Sequence, residues 1–205
     1  MKKSDIIAVL ILGEIIAIFL FFIFKTLGFG EFPLGYLFVI LPVLAIIGVY
    51  VAYLIGKKLP VLFQFAKYVV VGLANTAVDF GILNLLMWST KIYEGKTIIL
   101  LNSIAFLGAV IHSYFWNKLW TFKTKEKVNV ASQFLQFLII SLIGVLINSG
   151  IVYMIITWIK PMAGVEIWAN IAKVIATVVS LVWNFIGYKL IVFKEKSGKQ
   201  SGNLS

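Results

Sequence analysis

Six long apolar runs constrain this chain more than any other feature of its sequence. The hydrocarbon core of a bilayer is about 30 Å thick, and about 20 helical residues are needed to cross it. The runs that reach this length are Ile6–Phe24, Leu34–Ile55, Phe65–Trp88, Thr97–Lys118, Phe134–Trp158 and Ile167–Lys189. The sequence therefore predicts an all-α polytopic membrane protein with six transmembrane helices.

The overall composition favours the same class of protein. Of the 205 residues, 61% are hydrophobic and 13% are charged, whereas soluble domains carry about 45–50% apolar and about 25% charged residues. The net charge of +10 does not indicate a nucleic-acid partner, because the lysines cluster at the ends of the apolar runs. The chain has no cysteine, which excludes disulfides and cysteine-based metal sites.

The lysines near the ends of the spans are divided unequally between the two sides of the membrane. Thirteen fall on the side of the two termini, and four, Lys25, Lys91, Lys96 and Lys160, fall on the other. An excess of lysine marks the cytoplasmic side. The sequence therefore predicts a multi-pass protein of the cell (cytoplasmic) membrane with both termini in the cytoplasm.

Two pairs of segments indicate an internal repeat. QFAKYVVVGLANTAVDF from Gln64 aligns with QFLQFLIISLIGVLINS from Gln133, and HSYFWNKLWTFK from His112 aligns with WNFIGYKLIVFK from Trp183. An even number of spans in each repeat makes two parallel two-helix repeats, at about 64–123 and 133–194. They form a predicted four-helix domain over 61–196, preceded by an accessory transmembrane hairpin over 1–60. The polar tail over 197–205 is predicted to be disordered.

At these same motifs the sequence resembles the GtrA-like family of small membrane proteins, over about Gln64–Lys194. The same four-helix unit forms the transmembrane domain of some dolichol-phosphate mannose synthases. The resemblance implies translocation, or assistance to translocation, of polyprenyl-phosphate-linked sugars for cell-surface polysaccharide and glycan synthesis. Two features depart from the family: Lys118 stands where an arginine is usual, and the N-terminal hairpin lies outside the four-helix unit.

Polar residues inside the spans form the first candidate site. A charge at the centre of a membrane helix costs about 2.5–3.5 kcal/mol on insertion scales, so Asp79 requires a partner. From its depth we predict an ion pair with Lys173 and a neutral counterpart formed by Asn102 and Asn148. The alternative is that these groups only hold the helices together. The predicted intramembrane polar site comprises Asp79, Lys173, Asn75, Thr76, Asn102, Asn148, Glu14 and His112.

Basic and aromatic residues at the cytoplasmic ends form the second candidate site. Lysines there orient and anchor a membrane protein, and basic pockets on this side also bind lipid phosphates. The family resemblance favours the second role, in which these groups hold a polyprenyl phosphate or its sugar. The predicted head-group residues are Lys67, Lys118, Lys123, Lys189, Lys194, Asn117, Trp120, Asn184 and Tyr188.

Several chemistries have no support in the sequence. There is no P-loop, no cluster with metal-ligand spacing and no loop long enough for a glycosyltransferase domain. We therefore predict a protein that is not an enzyme and has no cofactor.

Two alternatives to sugar translocation remain: a non-catalytic membrane subunit that docks a glycosyltransferase, and a small ion- or proton-coupled solute transporter. The small size of the unit is compatible with a homo-oligomer.

Overall fold

The computed structural model describes residues 1–26, 33–92, 95–124, 129–160 and 165–194. The described residues form six long helices and no strand: α1 Lys3–Thr26, α2 Leu37–Gly56, α3 Pro60–Thr90, α4 Thr97–Trp116, α5 Val130–Trp158 and α6 Val165–Gly187. Each contains most of a segment long and apolar enough to cross a membrane, so the six-helix prediction is confirmed. The tail over 197–205 lies outside the described residues.

The helix boundaries follow from local chemistry. Pro60 begins α3 in the first turn, where the missing backbone N–H has no helical partner to lose. Lys91 ends the same helix in the left-handed conformation, with φ of 58°, a common helix stop. At the start of α5, Oδ1 of Asn129 accepts hydrogen bonds from the backbone N–H of Ala131 at 3.0 Å and of Ser132 at 3.3 Å.

The chain forms two compact units. The first spans Met1–Lys123 and contains α1 to α4, and the second spans Thr124–Ser205 and contains α5 and α6. In the first unit Val9 and Leu12 of α1 pack with Val71 of α3 in one buried core. The predicted accessory hairpin is thus packed against the first repeat, while its assignment as a separate segment stays a prediction.

Both predicted repeats end in a short π-helix. Asn117–Thr121 continues α4 and Tyr188–Val192 continues α6, and these five-residue segments occupy matching positions of the repeat. In each, the next backbone N–H donates to the carbonyl of the first π-helical residue: Phe122 to Asn117 and Phe193 to Tyr188, both at 2.8 Å. Two segments with few identities therefore share an uncommon backbone geometry, of a kind frequent at functional sites.

A second matching feature ties each π-helix to the preceding helix. The side chain of Gln64 on α3 donates to the carbonyl of Thr121 at 3.3 Å. The side chain of Gln133 on α5 donates to the carbonyl of Val192 at 2.9 Å. The glutamines are repeat partners, so the same long-range hydrogen bond occurs once in each unit. We call the end of each unit that carries its π-helix its basic end.

Candidate functional site

The basic end of the first unit is organised around Asp5, in the first turn of α1. The side chain is buried, with the residue 2% exposed. Its Oδ1 accepts a hydrogen bond from Nζ of Lys67 at 2.5 Å and from Nε1 of Trp120 at 3.2 Å. Its Oδ2 accepts from the backbone N–H of Lys2 at 3.2 Å. A buried carboxylate with this many donors is held as an anion, since each bond favours the charged form.

Two lysines share this one carboxylate. Lys67 is 4% exposed, and its Nζ also lies 4.3 Å from the ring centre of Phe63 and 5.3 Å from that of Trp120. Nζ of Lys123 lies 3.5 Å from Asp5 Oδ1 with its side chain 42% exposed. The buried pair is thus enclosed by aromatic faces, and the second lysine leaves a surplus positive charge at the surface. We call Asp5, Lys67, Trp120 and Lys123 the Asp5 cluster.

Lys118 and Lys189 are placed differently from the lysines of the Asp5 cluster. Each is the second residue of its π-helix, and each is half-buried. Nζ of Lys118 lies 3.2 Å from the hydroxyl of Tyr114 and 5.5 Å from that ring. Nζ of Lys189 lies 5.8 Å from the ring of Phe185, the repeat partner of Tyr114. Within the part of the chain that the structure describes, neither ammonium has a carboxylate within 4.0 Å.

The remaining head-group candidates fall into two groups. Lys194 is exposed, whereas Asn117 and Tyr188 are buried. The amide of Asn117 donates to the carbonyl and the hydroxyl of Ser113 at 2.9 and 3.2 Å. The hydroxyl of Tyr188 lies 2.6 Å from that of Ser141. These two side chains shape the helix ends, and their predicted contact with a sugar or a phosphate stays a prediction.

The position of Asn184 accounts for the glycine at position 144 in the second unit. A Cβ at Gly144 on α5 would collide with the side-chain amide of Asn184 on α6. Glycine lets the two helices approach, as small residues do in membrane proteins. The amide of Asn184 on α6 therefore packs against the backbone of α5 at Gly144.

The intramembrane candidates of the second unit form a hydrogen-bonded group. Nζ of Lys173 donates to Oδ1 of Asn148 at 2.7 Å. Nδ2 of Asn148 lies 3.4 Å from the hydroxyls of Thr177 and Ser180. The structure thus joins Lys173 to Asn148, two residues that the sequence assigned to different pairs. The predicted partner Asp79 belongs to the first unit, so the Asp79–Lys173 pair stays a prediction.

Several side-chain atoms of the intramembrane candidates of the first unit have no hydrogen-bond partner among the described residues. Among the described residues, none bonds to the buried Oδ1 atoms of Asn75 and Asp79 or to either ring nitrogen of His112. The hydroxyl of Thr76 donates to the carbonyl of Gly72 at 3.1 Å. Unpaired polar atoms in an apolar environment are costly, so this face of α3 and α4 requires a polar partner.

Two further predicted residues have simpler surroundings. Glu14 is half-buried on α1, and Asn102 is exposed on α4. No hydrogen bond joins Glu14 to His112 in the described ranges. The role of both residues in the polar site stays a prediction.

Sequence reasoning missed Asp5, the residue at the centre of the first basic end. A carboxylate in the first turn of a helix is ordinary, because it complements the helix dipole. The flanking Lys2 and Lys3 also fit an orientation signal. The one available clue was that Asp5 is acidic at an end otherwise rich in lysine.

Comparison with known proteins agrees with this architecture. The model of the GtrA/DPMS transmembrane domain matches residues 67–193. A curated relative, the uncharacterized membrane protein YngA of Bacillus subtilis (strain 168), is 28% identical over 127 residues, covering 62% of this chain and 77% of the relative. No solved structure matches the chain significantly. The family match includes both π-helices and most of α3 to α6, and it spans more than half of the chain; the chain belongs to the GtrA/DPMS transmembrane domain family.

Proposed function

We propose that this protein translocates polyprenyl-phosphate-linked sugars across the cytoplasmic membrane, or assists their translocation, for the synthesis of cell-surface glycans. Membership of the GtrA/DPMS family supports a membrane role in glycan-related processes. The observation that carries the finer proposal is the matched pair Lys118 and Lys189, one on the π-helix of each unit. Neither is neutralised by a carboxylate of the described residues, so each has a charge to offer a phosphate.

The lysines at the basic ends fall into two groups: those paired with a carboxylate of the protein and those that are not. In the Asp5 cluster, Lys67 and Lys123 share a resident carboxylate, so their charge is partly used within the protein. Lys118 and Lys189 rest on Tyr114 and Phe185 instead. An aromatic face holds an ammonium in place without cancelling its charge. We therefore assign phosphate binding to Lys118 in the first unit and to Lys189 in the second, each within its own unit.

The polar interior supplies the second half of the mechanism. Sugar hydroxyls crossing the membrane need partners, because unpaired polar groups in hydrocarbon cost several kcal/mol each. Asn75, Asp79 and His112 have side-chain atoms without partners in the described residues, and Lys173 with Asn148 adds further donors and acceptors. In each unit, these groups would accept sugar hydroxyls while the isoprenoid tail stays in the apolar phase. The chain itself would act without catalysing a reaction.

Reconstitution tests this proposal. Purified protein in liposomes is supplied with a radiolabelled polyprenyl-phosphate hexose, and sugar movement is followed with a membrane-impermeant oxidant. The variant Lys118→Gln/Lys189→Gln should lower the initial rate at least about tenfold, which corresponds to about 1.4 kcal/mol. The control Lys57→Gln/Lys58→Gln removes the same charge from two exposed lysines and should transport as the unaltered protein does.

Three outcomes would contradict the proposal. Equal rates in the two double variants would remove the role of the π-helix lysines. Co-purification with a glycosyltransferase and no sugar movement would favour a docking subunit. Uptake of a water-soluble solute driven by a pH gradient, again without movement of the lipid-linked sugar, would favour a coupled transporter.

A further inference from the structure

An apolar groove of about 880 Å³ lies on the first unit, lined by α1, α2 and α3. It follows α3 from Ala66 to Phe80, a distance of about 21 Å at about 1.5 Å per residue. Thr76 is the polar residue of its lining, and its hydroxyl already donates to the carbonyl of Gly72. The groove therefore offers no polar group that a ligand would have to satisfy.

Close helix contacts outside the groove fix its shape. α1 and α2 meet at Gly13, where a Cβ would come within 2.6 Å of Cα of Pro42. α2 and α3 meet at Gly56, where a Cβ would come within 2.6 Å of Cβ of Phe63. On α2, between Pro42 and Gly56, the small residues Ala45 and Gly48 line the groove, and Gly48 has no heavy atom within 4 Å of its Cβ position. The groove therefore results from the way α1, α2 and α3 pack together.

We propose that this groove holds the isoprenoid chain of a polyprenyl lipid, an inference that rests on the proposed function. Its length of about 21 Å exceeds one leaflet, which is about 15 Å or half of the hydrocarbon core. An acyl chain confined to a leaflet leaves part of the groove empty, whereas a polyprenyl chain fills it. At about 30 Å³ for each water-sized group, the volume holds about thirty carbon atoms, or about six isoprene units.

The charge of the same unit agrees with an anionic lipid. Ala66, at one end of the groove, directly precedes Lys67 of the Asp5 cluster. At the basic end, Lys67, Lys118 and Lys123 carry three positive charges against the one negative charge of Asp5. Exposed Leu44, Leu73 and Phe80 line the groove. A lipid can therefore enter from the bilayer with its tail along α3 and its phosphate at the basic end.

Photocrosslinking with a neutral long-chain polyprenol tests this site. The probe carries a diazirine on its tail and no phosphate or sugar, and it is incorporated into nanodiscs with the full-length protein. We expect crosslinks on α1, α2 and α3. Gly48→Phe should reduce the yield at least tenfold, and Gly48→Leu by an intermediate factor. The matched control Gly150→Phe, at another open glycine position on α5, should leave the yield unchanged.

Three results would overturn the inference. One is an unchanged yield in Gly48→Phe when its melting temperature matches that of the unaltered protein. Another is an equal crosslinking yield from a diazirine-labelled two-chain phospholipid of ordinary length in the same nanodiscs. A third is crosslinking confined to α5 and α6. Because the probe has no head group, its binding is independent of transport, so loss of sugar movement with intact crosslinking would reject the proposed function and keep the groove as a lipid site.

Discussion

Removing the carboxylate of Asp5 should release α1 from the rest of its unit. Asp5→Asn keeps the size of the side chain and one acceptor oxygen but removes the negative charge. Lys67, which is 4% exposed, would then be a buried ammonium without a carboxylate among the described residues. Trp120 would keep a neutral acceptor for its indole N–H. The dominant change is therefore the loss of a buried countercharge.

The cost follows from the burial of both partners. Removing one partner of a buried ion pair costs about 3–5 kcal/mol, because the other charge stays buried and unpaired. The amide still accepts a hydrogen bond, so we expect about 3 kcal/mol for Asp5→Asn. Lys123 adds little, because its side chain is 42% exposed and exposed pairs contribute about 0–1 kcal/mol. Replacing both charges in Asp5→Asn/Lys67→Met should recover most of the loss, since neutral pairs of similar volume are well tolerated.

Because the chain has no cysteine, the separation of α1 can be measured by labelling a single introduced cysteine. Ala8 of α1 is 6% exposed and packs in the core with Val71 and Trp120, so a cysteine introduced there reacts with a maleimide when α1 separates. A change of about 3 kcal/mol raises the open fraction about 150-fold, since each 1.4 kcal/mol is a factor of ten. In nanodiscs, the labelling rate should rise by a similar factor in Asp5→Asn and return nearly to its starting value in the double variant.

Glu14→Gln is the matched control, because it removes another carboxylate of α1 outside the Asp5 cluster. It should label at the rate of the Ala8→Cys background. A rise of less than threefold in Asp5→Asn would refute the argument that this carboxylate holds α1. Equal rates in the single and double variants would refute the assignment of the cost to the unpaired Lys67.

Two further predictions concern the helix contacts and the polar interior. Gly144→Ala should lower the melting temperature of the protein slightly, because the added Cβ displaces the amide of Asn184. The amide is the end of a side chain that can turn, so the cost should be about 1 kcal/mol, the lower end for an added methyl group. The matched Gly150→Ala meets no atom within 4 Å and should leave the melting temperature unchanged or raised. Asp79→Asn/Lys173→Met should preserve folding and abolish movement of the lipid-linked sugar in liposomes; transport at the unaltered rate would show that these charges only hold helices together.

The six helices could be read from the sequence because burial in lipid leaves few choices. A long apolar run in a bilayer must satisfy its own backbone polar groups, and a helix does so within one segment. The boundaries were less certain: α3 and α5 begin at Pro60 and Val130, before their apolar runs start. Polar residues such as Gln64 and Gln133 extend these helices toward the basic ends, where they bond to the π-helices.

The repeat was also visible in the sequence, but its consequence was not. Matching motifs around Lys118 and Lys189 predict that the two lysines occupy matching positions of the repeat. They do not predict a π-helix, because no residue type specifies one. The hydrogen bond from Gln64 or Gln133 to the π-helix of the same unit joins two helices, so it depends on how those helices pack. It therefore appears only when both helices are placed together.

The sequence by itself determined the membrane class, the number of helices, the two repeats and the family. These depend on hydropathy and on motifs that are local in the chain. Only the tertiary structure decided that Asp5 pairs with Lys67, 62 residues away, and that Lys173 bonds to Asn148. A charged side chain in an apolar medium bonds to a polar group that lies close to it, and the packing of the helices determines which polar groups are close.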